Sequence, residues 1–236
     1  MSRTIIRESA PTDGRRLRWT QHRAERRAAF VEAGVRAIDV YGAGASAEQI
    51  AEAANVSRTV LYRYFRDRED LRQAIAECAV QQVLDSVMPK LRLTSDSTPH
   101  QVIHATVSVI VGWLDEHPNL YYFLRNRTDV SSLESVEKTL ADTVASLLKL
   151  VMVFFGMSSD VAEPGAYGIV GFVEASGGWW LQHRTMSRDA FTEIVCTGVW
   201  HMLSGAARDA GVDLSYDEPL PLGALTQTPQ TAEVTT

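Results

Sequence analysis

Apolar residues recur at helical spacing along nearly the whole chain, and no stretch alternates as a strand would. Over 21–41, Phe30, Ala33, Ala37, Ile38 and Tyr41 share one stripe, which predicts an amphipathic first helix. A fourth helix is expected over 68–90, with Leu71, Ile75, Ala79, Val83 and Val87 inward and Pro89 near its end. Thr98, Pro99 and Gln101 form a capping box with proline at the first helical position, opening a fifth helix that runs to about His117. Pro118 breaks that helix, and a short aromatic one follows over 120–127. Ser131 with Glu134 is read as the cap of a seventh helix ending at Gly156, and an eighth is expected over 164–184. Ser187 can cap a ninth that ends near Gly211.

Between the first and fourth helices, 46–71 reads as two short helices joined by a tight turn. Ser46 and Gln49 match a second capping box, in which hydroxyl and amide satisfy each other's backbone N–H. Ile50, Ala51 and Ala54 make a small apolar face, and Asn55 tolerates the left-handed conformation that ends a helix. Ser57 is a good N-cap for the next helix, and Leu61 and Phe65, four apart, share its inner face. Asp67 is expected to cap the helix that starts at Arg68. The surface left over carries Arg58, Thr59, Val60, Tyr62, Arg63 and Tyr64. That is the layout of a helix-turn-helix, with cations, a hydroxyl and phenols suited to phosphates and base edges. The plainer reading is a helical hairpin with a solvated basic face. Cap, turn residue, core spacing and basic surface all agree here, which favours the DNA reading.

These residues resemble the TetR family of bacterial transcription regulators. The likeness rests on Ile50-Ala51, Ala54, Val56-Ser57, Leu61-Tyr62, Phe65, Arg68 and Leu71, and with the first helix it covers about 23–75. Asn55 stands where the family usually has Gly, Arg68 where Lys is usual, and Thr59-Val60 where Gly-Thr or Gly-Ser is common. The loop 42–45 lacks the aromatic that often follows its Gly. Val60 places an apolar side chain on the recognition helix.

Charge sharpens the picture. The chain has 23 Lys and Arg against 29 Asp and Glu, a net charge of −6. Residues 1–68 hold 13 Arg and 8 acidic residues, a net +5, which leaves −11 for 69–236. A basic head for a polyanion thus sits ahead of an acidic body. Arg15, Arg16 and Arg18, with Arg3 and Arg7 farther out, are read as a flexible basic arm that enters the minor groove or lies near phosphates. Its plain alternative is a solvated tail.

The expected fold is all-α, with about nine helices. It comprises a basic arm over 1–19, a three-helix helix-turn-helix DNA-binding domain over 20–68, a helical effector-binding and dimerisation domain over 69–211, and a loose tail over 212–236 that is rich in Pro, Thr and Gln. At 45% hydrophobic and 22% charged, the composition is that of an ordinary soluble protein. Two cysteines, Cys78 and Cys196, imply no disulfide framework and fit a reducing cytoplasm. The first residues lack the apolar core of a secretory signal, and the longest apolar runs are too short to span a bilayer, so no membrane partner is expected.

The body is rich in aromatics with a few polar tips. Trp113, His117, Tyr121, Tyr122, Phe155, Trp179, Trp180 and His183 are candidates to line a pocket for a small, mostly apolar ligand. Each of them, taken singly, also fits plain core packing. The resemblance implies an effector in this region. It also implies that the last two helices pair with those of a second subunit. Gly168, Gly171 and Gly178 on the eighth helix, with Phe191, Val195, Val199 and Met202 on the ninth, are the candidate dimer interface.

Enzyme-like signals fail on context. Residues 42–47 match GxGxxA, but a helix precedes them where a dinucleotide fingerprint needs a strand. His100 and His104 lack a third ligand, Cys196 and His201 do not share a helical face, and no nucleophile elbow surrounds Ser176. No catalytic residue, metal or cofactor is expected. The expectation is a homodimeric, ligand-responsive, DNA-binding regulator, of the repressor type the resemblance implies. Ser46, Arg58, Tyr62, Tyr64 and Arg68 would hold phosphates, while Arg58, Thr59, Val60 and Arg63 would face base edges of a double-stranded operator, and Ser57 is a further candidate for DNA contact. An activator, a regulator controlled by a protein partner, and a helical enzyme with an incidental helix-turn-helix are the alternatives.

Overall fold

The computed structural model describes residues 13–90, 96–125 and 130–219, with side chains from 18 onward apart from those of 130–137. Among the described residues there are nine helices and no strand. They are α1 (Asp13–Tyr41), α2 (Ala47–Ala53), α3 (Arg58–Leu61), α4 (Arg68–Val87), α5 (Pro99–Glu116), α6 (Pro118–Arg125), α7 (Val130–Phe154), α8 (Ala162–His183) and α9 (Arg188–Asp209). Among these residues no helix is long and apolar enough to cross a membrane.

The chain divides into two compact units, 1–78 and 79–236. The boundary therefore falls inside α4, not at 68/69. The reason is packing: Leu71, Ala74 and Ile75 of α4 are buried in the core of the first unit. A methyl group added at Gly34 of α1 would run into Ile75 Cδ1, so glycine is what lets these two helices approach.

α1 starts at Asp13, eight residues before the expected 21. Arg18 is thus an exposed residue of α1 and does not belong to a separate arm. Arg15 and Arg16 are on the same helix, with side chains outside the described residues, and Arg3 and Arg7 lie outside them altogether. Arg15, Arg16, Leu17 and Arg18 in the extension are good helix formers, and just after it Gln21 Nε2 donates to Glu25 Oε1 at 3.1 Å across one turn.

In the second unit, α5 packs against α9 and α7 against α8. Val107, Val111, Leu114, Trp180, Phe191, Val195 and Cys196 form its core. The Thr98 and Ser187 caps occur as expected. α7 begins at Val130, so Ser131 stands within its first turn, with its side chain outside the described residues. Gly156 and Gly211 take positive φ of 69° and 80° to close α7 and α9.

The stretch 212–219 is docked, contrary to the loose tail expected there. Tyr216 O accepts from His100 N at 3.0 Å, its ring stacks on His100 and leans on Trp200, and Asp217 lies 3.2 Å from His100 Nδ1. An aromatic side chain between two helices offsets the entropy of ordering this segment. The rest of the expected tail, 220–236, lies outside the described residues.

Candidate nucleic-acid interface and internal cavity

The first unit holds the helix-turn-helix. Ser46 Oγ accepts from Gln49 N at 3.2 Å and Gln49 Oε1 from Ser46 N at 2.8 Å, so the capping box that opens α2 is complete. Asn55 has φ 54°, and the amides of Asn55 and Val56 bond back to Glu52 O and Ala51 O at 2.9 Å each. This Schellman closure turns the chain within three residues. Ser57 Oγ then accepts from Val60 N at 3.4 Å.

α3 is shorter than expected. Its α-helical part ends at Leu61, and tighter i→i+3 bonds continue it, from Arg63 N to Val60 O and from Tyr64 N to Leu61 O. Tertiary contacts hold that last turn. Arg23 of α1 donates to Arg63 O at 3.0 Å, Tyr64 meets Phe30 edge-on at 5.0 Å, and the Arg27 guanidinium lies 4.6 Å over the Phe65 ring. Arg58, Thr59 and Arg63 are exposed, and Val60, Tyr62 and Tyr64 are half-buried.

Asp70 ties the unit together. Its Oδ2 accepts from Arg66 N at 2.9 Å and its Oδ1 from Arg27 Nη2 at 2.7 Å, while Asp67 Oδ1 caps α4 by accepting from Asp70 N at 2.8 Å. Burial pushes the Asp70 carboxyl up, but the Arg66 amide and the Arg27 guanidinium together outweigh it and hold the group below its ordinary value. A carboxylate depressed in the folded state stabilises above its unfolded pKa, and that contribution is lost as pH falls through the folded value. Asp70→Asn is therefore expected to cost about 2 kcal/mol at pH 7, from lost charge-assisted bonds, and progressively less in the acid range below the ordinary carboxylate value. Chemical denaturation of both proteins at pH 7 and pH 3 checks this, and an equal difference at both would refute it.

The second unit contains an apolar cavity of ≈ 320 Å³ between α4, α5, α6, α7, α8 and α9. Val83, Ile110, Leu124, Val144, Leu147 and Val173 are representative of its wall. Arg125 and Glu174 are the charged residues of that wall, joined at 3.2 Å, and the Tyr121 hydroxyl donates to Glu174 O at 3.3 Å. Thr106 is among the lining residues, and its own hydroxyl oxygen is buried and has no partner among the described residues. A buried hydroxyl without a partner is costly. A separate polar cleft of ≈ 690 Å³ lies between α4, α5 and α9, lined by residues that include His104, Ser108, Glu116, His117, Arg188 and Glu193. Trp113 contributes to both.

Over residues 30–75 the chain matches the family described as bacterial regulatory proteins, tetR family, and over 90–213 it matches the tetracyclin repressor-like C-terminal domain. It is 31% identical over 216 residues to the uncharacterized HTH-type transcriptional regulator Rv0472c of Mycobacterium tuberculosis, covering 89% of this chain and 91% of that one. This chain belongs to the TetR family. The HTH-type transcriptional activator FasR of Mycolicibacterium smegmatis is 25% identical over 202 residues, 84% of this chain and 91% of that one. Two solved structures share the fold. A TetR-family regulator from Streptomyces coelicolor has a TM-score of 0.63 at 15% identity, over 79% of this chain and 83% of that one. FadR from Bacillus subtilis, solved with stearoyl-CoA, has a TM-score of 0.59 at 16% identity, over 75% of this chain and 97% of that one.

Within this TetR-family chain, the residues expected from sequence are only partly brought together. Arg58 is clasped by Glu48 at 2.5 Å and lies 5.6 Å from the Tyr62 ring, so it must let go of Glu48 to reach a phosphate. Glu48 is held below its usual range by its own backbone N–H and then by Arg58. Arg23, between Trp19 and Tyr64, was not singled out, because Arg63 and Tyr64, which fix it to the recognition turn, lie about forty residues away in sequence. Of the expected pocket residues, Tyr121 lines the cavity, His117 the cleft and Trp113 both. Tyr122, Phe155, Trp179, Trp180 and His183 line neither. Trp180 is core, stacked on Phe191 and donating to Met186 O at 3.1 Å, and Trp179 stacks on His183 at the surface.

The expected interface is also revised. Phe191, Val195 and Val199 are buried within the unit, so they face the core and not a partner. A methyl group at Gly178 would run into the Tyr121 hydroxyl, which gives that glycine an internal purpose. Gly168, Gly171 and Met202 are exposed, and Tyr167, Trp179 and Ile194 join them as exposed side chains of α8 and α9. Cys196 is buried and its thiol is pushed up to about 11, mainly by that burial, which makes it unreactive.

Proposed function

We propose that this TetR-family transcription regulator acts as a cytoplasmic homodimer that binds a pseudo-palindromic DNA operator and answers to a small amphipathic or apolar effector. The observation that carries the DNA reading is the exposed set Arg58 and Thr59 on the capped α3 and Arg63 on the tightly anchored turn that continues it. Arg63 and Thr59 are suited to base edges, with Val60 beside them. Ser46, Ser57, Tyr62, Tyr64 and Arg68 are suited to phosphates, as is Arg58 once released. Arg18 on α1, with Arg15 and Arg16 on the same helix, would add phosphate contacts from a helix and not from a flexible arm. The exposed apolar stripe of Tyr167, Gly171, Ala175 and Trp179 on α8, with Ile194 and Met202 on α9, supports pairing with a second subunit.

The cavity supports the effector. Its lining is apolar over most of its surface and its volume is at the low end of ligand sites. FadR, of like fold, was solved with stearoyl-CoA, which makes an acyl compound the first effector class to test. The proposed mode is repression relieved by the effector. Activation is the second reading, favoured by the name of the FasR relative. Selection of bound sequences from random double-stranded DNA tests the DNA part. Two inverted half-sites one helical turn apart are expected. Failure to enrich any sequence would overturn it.

A further inference from the structure

We infer that Glu48 is a specificity-determining residue of the DNA-binding unit, which withholds Arg58 from DNA of the wrong sequence and gives it up on the operator. This rests on the reading of α3 as the element that meets DNA.

An acid at this place needs a reason. Glu48 stands in the first turn of α2, two residues after the Ser46 cap, and its side chain is 61% exposed. A carboxylate beside the recognition helix repels a polyanion and so lowers affinity for every duplex. It is nonetheless firmly charged. Its own backbone N–H, then Arg58, and last the Ser46 hydroxyl hold the carboxyl below its ordinary value against a smaller push from desolvation. The first turn of a helix also favours an acid, so Glu48 stays ionised when Arg58 departs.

Arg58 is the partner that can move. Its Nη1 donates to Glu48 Oε1 at 2.5 Å, its guanidinium lies 5.6 Å from the centre of the Tyr62 ring, and its side chain is 59% exposed. An exposed ion pair of this kind shifts an equilibrium by no more than about fivefold. It therefore competes with one loose, hydrated phosphate and yields to a better acceptor. A guanine edge or a closely docked phosphate engages two donors of the guanidinium fork at once, in place of the single bond to Glu48. Close docking of α3 is what the correct sequence permits, so the exchange is favoured there and not elsewhere. A cost laid on the wrong partner raises specificity as effectively as a contact made to the right one.

Titration of the full chain on a selected operator and on a scrambled duplex of equal length and composition, at several salt concentrations, tests this. Glu48→Gln is expected to tighten the scrambled duplex by about two- to fivefold per subunit and the operator by less than about twofold, so the ratio of the two falls. The salt slope on the scrambled duplex should steepen by about one per subunit, as Arg58 joins the phosphates. In an Arg58→Gln background the same change should leave that slope as it was. Both side chains are exposed, so thermal melts of the variants should overlay the parent, and Glu48→Ala, which also frees Arg58, should reproduce the fall in ratio. An unchanged ratio, an equal gain in the Arg58→Gln background, or weaker binding of both duplexes by both Glu48 variants overturns the role of Glu48 and leaves the DNA reading intact. A parent chain that binds neither duplex overturns both.

Discussion

Arg63→Ala is expected to weaken operator binding by about 1–3 kcal/mol per half-site, or roughly 5- to 150-fold, and more when both subunits of a dimer engage. The size follows from how Arg63 is held. Its backbone carbonyl is pinned by Arg23 at 3.0 Å, and its neighbours Tyr64 and Phe65 are packed against Phe30 and Arg27. The side chain is exposed and no ion-pair partner is found for it among the described residues. Little rearrangement is thus needed before it meets DNA, in contrast to Arg58, which has Glu48 to release. Titration on a selected operator at several salt concentrations separates two modes. Base contact predicts relaxed preference at one position of the half-site, and phosphate contact predicts uniform weakening with a salt slope smaller by about one. Unchanged affinity at fixed salt would remove α3 as the reading element.

Phe65→Ala is expected to cost about 3–5 kcal/mol of stability and to lower the unfolding temperature by more than about 10 °C. Phe65 is 2% exposed, and it closes the core of the first unit beneath the Arg27 guanidinium. Its removal leaves a cavity and also strips Arg27 of its aromatic support. Operator binding should fall with it, because the turn carrying Arg63 loses its anchor. Phe65→Leu keeps most of the buried volume and should retain most of the stability. A thermal melt of Phe65→Ala that overlays the parent would contradict the packing described.

These two residues differ in how readable they were. Phe65 stood out from its spacing to Leu61 alone, because residues four apart share a helical face whatever surrounds them. The Ser46 and Thr98 capping boxes, the Ser57 and Ser187 caps and the left-handed Asn55 were legible for the same reason. Each is a bargain struck within a few residues of chain. Arg63 was recognised as a surface cation, but its advantage over Arg58 was not visible. It depends on Glu48 ten residues before Arg58 and on Arg23 forty residues before Arg63. The arm at Arg15, Arg16 and Arg18 was misjudged because arginine favours helix as readily as it suits a solvated tail, and the stripe of apolar residues begins only later.

The body shows the other side of the same rule. Aromatic content pointed to a cavity, yet the cavity that formed is mostly aliphatic, with Val, Leu and Ile from six helices around a short run of polar groups. Trp180, Phe191 and Val195 went to the core, and Trp179 to the surface. Helix positions, caps and turns were already set by the order of residues, since the hydrogen bonds involved close over three to five positions. Which faces meet, which glycines are needed for close approach, where Tyr216 docks and which charges stand in the cavity wall followed from side chains brought together across separations of 16 to 117 residues. Those contacts depend on the shapes of all the helices at once, and spacing along a single helix carries no record of them.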